Sequence, residues 1–151
     1  LATRDAIADM HFMLQKEVVD RMVAPPGGGD YGRLTVMLAA ACTSTALFRV
    51  GRGAFQPPPA VDSAVVRLVP HAADPFPLPD PQRFARVVAA AFSMRRKTLR
   101  NSLSTVCDAE AIRAAGIDPG ARAEAVPVEA YVTLSNQLIA AGIQPPEADA
   151  L

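Results

Sequence analysis

Proline divides this chain before any other residue does. Its ring fixes φ and removes the backbone N–H, so it ends helices and stays out of central strands. Of the fourteen prolines, twelve cluster at Pro25-Pro26, Pro57 to Pro59, Pro70 to Pro81 and Pro145-Pro146. They punctuate the chain rather than forming a low-complexity tract. Regular elements must be short and lie between these marks.

Before Pro70 the pattern mixes strand and helix. Ile7 to Leu14 is a short, mostly apolar run that fits a buried strand. Lys16 to Val23 places Val18, Val19, Met22 and Val23 on one helical side, and Pro25 to Gly29 ends it as a flexible loop. Gly32 to Ala41 predicts a second apolar helix, and Thr45 to Val50 a strand. Phe55 to Asp62 is a proline-rich loop, followed by a strand at Ser63 to Val69, antiparallel to an earlier one. Asp62 and Ser63 read as turn and strand-start residues.

After the linker His71 to Asp80 only helical patterns remain. Asp80 caps and Pro81 opens a helix over Gln82 to Phe92, striped by Phe84, Val87, Val88 and Ala91. A further helix is predicted over Lys97 to Ser104, either continuing directly or after a break near Ser93. Asp108 caps Ala109 to Ala115, which Gly116 ends. The last helix runs from Val128 to about Ala141, and the tail after Gln144 is expected to fray. The chain thus divides into an α/β part over 1–72 and a small all-α part over 73–151. About three strands with one or two helices cannot cover both faces of a parallel-type sheet. The chain also begins at Leu1 rather than at methionine. We therefore expect a fragment whose upstream strands are missing.

Half of the residues are apolar, enough for a packed core and too many for wholesale disorder. Cys42 and Cys107 are too few and too far apart for a disulfide framework or a zinc site, and read as buried, reduced thiols of a cytoplasmic protein. His11 and His71 lack ligand spacing, so they read as structural and no metal is expected. No apolar run reaches membrane-spanning length, and no signal peptide is expected.

Charge is more informative. The chain is formally neutral. Yet from Pro81 through Cys107 there are six Lys or Arg (Arg83, Arg86, Arg95, Arg96, Lys97 and Arg100) and no Asp or Glu. No acidic residue stands at i±3 or i±4 from the run Arg95-Arg96-Lys97 to neutralise it. A solvated helix face is the ordinary reading of such a run. A positive face without local partners is also what a phosphate backbone attracts. Helical spacing would place Arg96 and Arg100 one turn apart, with Lys97 beside them.

Three segments carry a resemblance. They are Met13-Leu14-Gln15-Lys16-Glu17-Val18-Val19, then Phe55-Gln56-Pro57-Pro58-Pro59-Ala60-Val61-Asp62-Ser63-Ala64-Val65-Val66-Arg67-Leu68, then Arg95-Arg96-Lys97-Thr98-Leu99-Arg100-Asn101. Tyr31-Gly32-Arg33-Leu34 supports them. In this order and spacing, over nearly the whole chain, they resemble the bacterial small-subunit ribosomal RNA dimethyladenosine transferases. The resemblance implies an enzyme that dimethylates two adjacent adenines in the 3′-terminal hairpin of 16S rRNA with S-adenosylmethionine. It implies the C-terminal remnant of a Rossmann-like α/β methyltransferase domain, followed by a small all-α domain that docks on the small ribosomal subunit. The family's Gly-rich cofactor loop and its Asn-Leu-Pro-Tyr motif lie before the segment matching Leu1. Gly27 to Gly29 follows a helix rather than a strand, and Gly51-Arg52-Gly53 reads as a turn. No catalytic or cofactor-binding residue is therefore expected here, and the chain alone should bind rRNA, no S-adenosylmethionine, and be inert.

Residue by residue, the resemblance places Phe55 against a flipped-out adenine, where an aromatic face replaces lost stacking. The core-anchor reading of Phe55 stands beside it. Arg95, Arg96, Lys97 and Arg100 match the family's basic motif, and arginine suits bidentate phosphate contacts. Asn101 reads as a local backbone support. Lys16 and Arg33 are further candidates for the RNA cleft, against simple surface placement. Ala60 stands where the family usually has lysine, which removes one expected phosphate contact. Two other functions compete: a non-catalytic ribosome-assembly module that binds RNA, and a DNA-binding helical domain, for which no recognition helix is placed. An α/β remnant with an open sheet should also self-associate.

Overall fold

The computed structural model describes residues 6–72 and 75–143. The predicted tail after Gln144 lies outside them. In chain order the elements are β1 Met10–Gln15, α1 Lys16–Val23, α2 Arg33–Ala39, β2 Cys42–Val50, β3 Ser63–Pro70, α3 Pro81–Phe92, α4 Leu99–Ser102, α5 Ala109–Ala114 and α6 Val128–Ala140. Short 3-10 turns occupy Arg52–Ala54 and Ala123–Ala125.

The sheet has three strands in the order β1-β3-β2, with β3 antiparallel to both neighbours. Side chains alternate across a strand, so directly paired residues share a face. Ala64, Val66 and Leu68 of β3 are buried with Val19 and Met22 of α1 and Cys42 of β2. The opposite face carries Val65, flanked in register by Met13 and Phe48. Nothing among the described residues covers it: Met13 is 53% and Phe48 59% exposed.

This corrects the reading of Ile7 to Leu14 as a buried strand. The strand starts at Met10 and is exposed over His11 to Met13. It lies at the sheet edge, where only Met10 and Leu14 pack against the cluster under α1. β2 starts earlier than predicted, because Cys42 and Thr43 pair with Pro70 and Val69. A register shift between Ala46 and Phe48 leaves Leu47 exposed.

The helical half packs around a larger core in which Phe84, Leu99, Leu103, Ile112, Tyr131 and Leu138 are almost wholly buried. Each such side chain contributes about 1.5–3 kcal/mol by its burial. Tyr31, Val36 and Ala40, from the segment around α2, belong to this core rather than to the one under the sheet. The Tyr31 hydroxyl donates to the Val126 carbonyl at 2.9 Å. The Gly27 N–H donates to the Glu124 carbonyl at 2.7 Å with Gly27 at φ +91°, so the Pro25 to Gly29 segment is a pinned turn rather than a free loop.

Caps stand where the sequence put them. The Asp80 carboxylate accepts the Arg83 N–H at 2.9 Å, with Pro81 opening α3. Asp108 accepts the Glu110 and Ala111 N–H groups. Gly116 leaves α5 at φ +76°, with the Ile117 N–H on the Ile112 carbonyl. The break at Ser93 is present, but the helix predicted over Lys97 to Ser104 shrinks to α4. Lys97 closes a turn on the Met94 carbonyl, and Thr98 is extended and bridges to Arg122.

Candidate nucleic-acid interface

The basic run sits on the turn that joins α3 to α4. Helix α3 ends at Phe92, and the hydroxyl and N–H of the capping Ser93 both donate to the Ala90 carbonyl. Leu99 then buries completely and fixes the start of α4. Arg95, Arg96, Lys97 and Arg100 are all left exposed between these anchors. None of the four forms an ion pair among the described residues. The expected helical alignment of Arg96 with Arg100 is not found, since Arg96 lies in the turn and Arg100 on α4.

Two cations counted with this run do not join its surface. Arg83 is 3% exposed, its guanidinium turned inward with Nε 3.8 Å from the Asp80 carboxylate. Arg86 is half-buried on the same helix. Sequence counts charges but cannot tell which side of α3 they occupy.

Arg95 reaches back to the α/β part. Its Nη2 donates to the Gly29 carbonyl at 2.7 Å. It thereby lines, with Arg33, Arg21, Tyr31 and Phe92, a pocket of about 260 Å³. Arg33 and Arg95 were singled out separately, and the fold brings them together. Sequence reasoning missed Arg21, which pairs with Glu17 at i−4 and so reads as an ordinary helix surface residue. Burial pushes the Tyr31 phenol at this junction up to about 12, with the Glu129 charge adding to the effect.

Lys16 lies elsewhere. Its Nζ contacts Asp20 at 2.5 Å, and it lines a separate recess with Arg52, Ala60 and Asp62. Phe55 is half-buried in a loop exposed from Gln56 to Val61, and it lines neither this recess nor the arginine pocket. It is also absent from both hydrophobic cores, against its reading as a core anchor. Asp62 holds the ends of this loop. It accepts the Arg52 N–H at 3.0 Å and pairs with the Arg49 guanidinium, while the Lys16 N–H donates to its carbonyl at 2.9 Å. The Arg52 N–H, and then Arg49, hold its carboxyl below the usual carboxylate range.

The S-adenosylmethionine implied by the resemblance would call for a glycine turn leaving a strand, and Gly27 to Gly29 is not such a turn. The glycine turn Gly27 to Gly29 follows α1, not a strand, and its contacts go to Glu124 and Arg95 within the chain. No group of His, Cys, Asp or Glu that could hold a metal occurs among the described residues. Cys42 and Cys107 are buried free thiols, and burial raises both. The His71 ring is spent on the Ala39 carbonyl at 3.0 Å. No described helix is long and apolar enough to cross a membrane.

A family model described as ribosomal RNA adenine dimethylase matches residues 1–140. A ribosomal RNA small subunit methyltransferase A from Xanthomonas campestris pv. campestris (strain B100) is 62% identical over 131 residues, covering 87% of this chain and 50% of its own. The protein of that name from Pseudomonas aeruginosa is 56% identical over 132 residues, covering 87% and 49%. The chain therefore spans about half the length of the curated relatives it matches. Among solved structures, a dimethyladenosine transferase from Plasmodium falciparum shares the fold, with TM-score 0.78 and 22% identity over 91% of this chain and 60% of that one. The 23S rRNA methyltransferase ErmE superposes with TM-score 0.60 at 27% identity, over 88% and 55%.

Proposed function

The chain belongs to the ribosomal RNA adenine dimethylase family, and from that premise we propose that it is the C-terminal, RNA-docking part of a 16S rRNA adenine dimethyltransferase. The parent would use S-adenosylmethionine to dimethylate two adjacent adenines in the 3′-terminal hairpin during small-subunit maturation in the cytoplasm. This chain would comprise the remnant of the Rossmann-like domain, to residue 72, and the helical domain from residue 73. Alone it would bind rRNA without transferring methyl groups.

One observation carries this reading: four exposed cations, Arg95, Arg96, Lys97 and Arg100, without ionic partners among the described residues. Unpaired surface cations held on a packed turn lose little on meeting a phosphate, and each contact releases counterions. Arg33 supports the reading because it shares a pocket with Arg95, so both parts of the chain present charge to one place. Structured rRNA is recognised mainly by shape and phosphate contacts, which needs no base-reading groups on this surface. Phe55 would stack on the extruded adenine once the rest of the parent completes the site. Lys16 and Arg52 would supply local charge where Ala60 does not.

Equilibrium binding to small ribosomal subunits over a salt series tests the proposal. Affinity should fall steeply with salt, and the combined Arg95→Ala, Arg96→Ala, Lys97→Ala variant should reduce that slope by roughly two to three units. A salt-independent affinity, or a variant that binds like the parent chain, would sink it.

A further inference from the structure

Arg100 has a neighbour outside the basic run. Arg113, in the last turn of α5, lines with Arg100 a recess of about 260 Å³ walled by Thr98, Asp118, Pro119 and Gly120. Both arginines are exposed, and neither forms an ion pair among the described residues. Glu110 stands at i−3 from Arg113, so by spacing this arginine reads as a paired surface residue. That pair does not form.

The backbone beneath both side chains is held. The Arg100 N–H donates to the Pro119 carbonyl at 2.9 Å and the Leu99 N–H to the Ala121 carbonyl at 2.8 Å, which docks the Asp118 to Ala121 turn on α4. Ile112, beside Arg113, is fully buried, and Gln137 Nε2 donates to the Ala114 carbonyl at 3.0 Å. The one acid in the recess is Asp118, whose Oδ1 accepts the Gly120 N–H at 2.8 Å. Two guanidinium groups therefore share one recess on rigid supports, with the nearby carboxylate engaged by the backbone.

We propose that Arg100 and Arg113 clamp one backbone phosphate of the RNA, extending the docking surface beyond the α3–α4 turn onto α5. This rests on the RNA-docking reading above. Two planar guanidinium groups from different helices can each donate in parallel to phosphate oxygens, a geometry lysine cannot reproduce. The site reads no base, so it fixes position and register rather than sequence.

The test uses the 151-residue chain, small ribosomal subunits and Arg113→Ala, with far-UV circular dichroism to confirm folding. Arg100 still reaches that phosphate in Arg113→Ala, which should bind more weakly. The Arg100→Ala, Arg113→Ala double variant loses the contact and should lower the salt slope by about 0.9, so its affinity falls about threefold less across a fourfold rise in salt. Arg113→Glu should weaken binding more than Arg113→Ala does. If the parent chain and the triple basic variant behave as expected but Arg113→Ala matches the parent chain, the clamp is wrong and docking stands. Weaker binding by the double variant with an unchanged slope would mean a contact to ribosomal protein, and would also overturn the clamp. No binding by the parent chain would remove docking and clamp together.

Discussion

Asp62 shows what a single residue does in this chain. Its carboxylate takes the Arg52 N–H and the Arg49 guanidinium, and its carbonyl takes the Lys16 N–H, so it ties the proline-rich loop to the start of α1. Its role as a turn residue was readable from its place before a strand, but its partners were not, because they come from segments far away in sequence. Those partners depress its folded-state pKa. A depressed carboxylate contributes stability above its unfolded pKa, roughly 4, and loses it as pH falls through the folded value. Asp62→Asn should therefore flatten the acid limb of the stability–pH curve while leaving the neutral-to-alkaline limb parallel. Urea unfolding at a series of pH values checks this, and superimposable acid limbs would count against it. Tyr131 and Arg83 mark the opposite case. Tyr131 is wholly buried with its hydroxyl on the Ala123 carbonyl at 2.8 Å, although the stripe read for the last helix, Val128, Val132, Leu134, Leu138 and Ile139, left it out.

At the scale of elements, caps and breaks were legible because their chemistry is local. Asp80, Pro81, Asp108 and Gly116 each satisfy or terminate a helix within a few residues. What failed was the helix over Lys97 to Ser104, since the Thr98 bridge to Arg122 is a long-range pairing with no local signature. The basic turn is consequently presented as a loop between two anchored helices. Strand β1 failed in burial for a related reason: an apolar run predicts a strand but not which faces are covered. Met13, Val65 and Phe48 form an apolar row across the open face of the sheet, with Phe12 and Leu47 also exposed. Such a face favours association. Light scattering should show an average mass that rises with concentration, and Met13→Lys with Phe48→Lys should reduce it. A constant monomer mass at high concentration would contradict this expectation.

For the whole molecule, the hydrophobic clusters divide less neatly than the proline pattern suggests. The smaller cluster lies under the sheet, while Tyr31, Val36 and Ala40 pack into the helical core, so α2 joins the two parts. That union brings Arg33 to Arg95, and it could not be read from segments taken one at a time. The family was legible because motifs from both parts stand in register along the chain. On the proposed function, this chain would occupy the rRNA site without performing the chemistry. The most direct measurement adds it to a methylation assay in which a full-length small subunit methyltransferase A acts on unmethylated small ribosomal subunits. Inhibition should grow with the concentration of the chain, be lost when the Arg95→Ala, Arg96→Ala, Lys97→Ala variant replaces it, and come with no methyl incorporation by the chain alone. Absence of inhibition, or methyl incorporation by the chain alone, would contradict it.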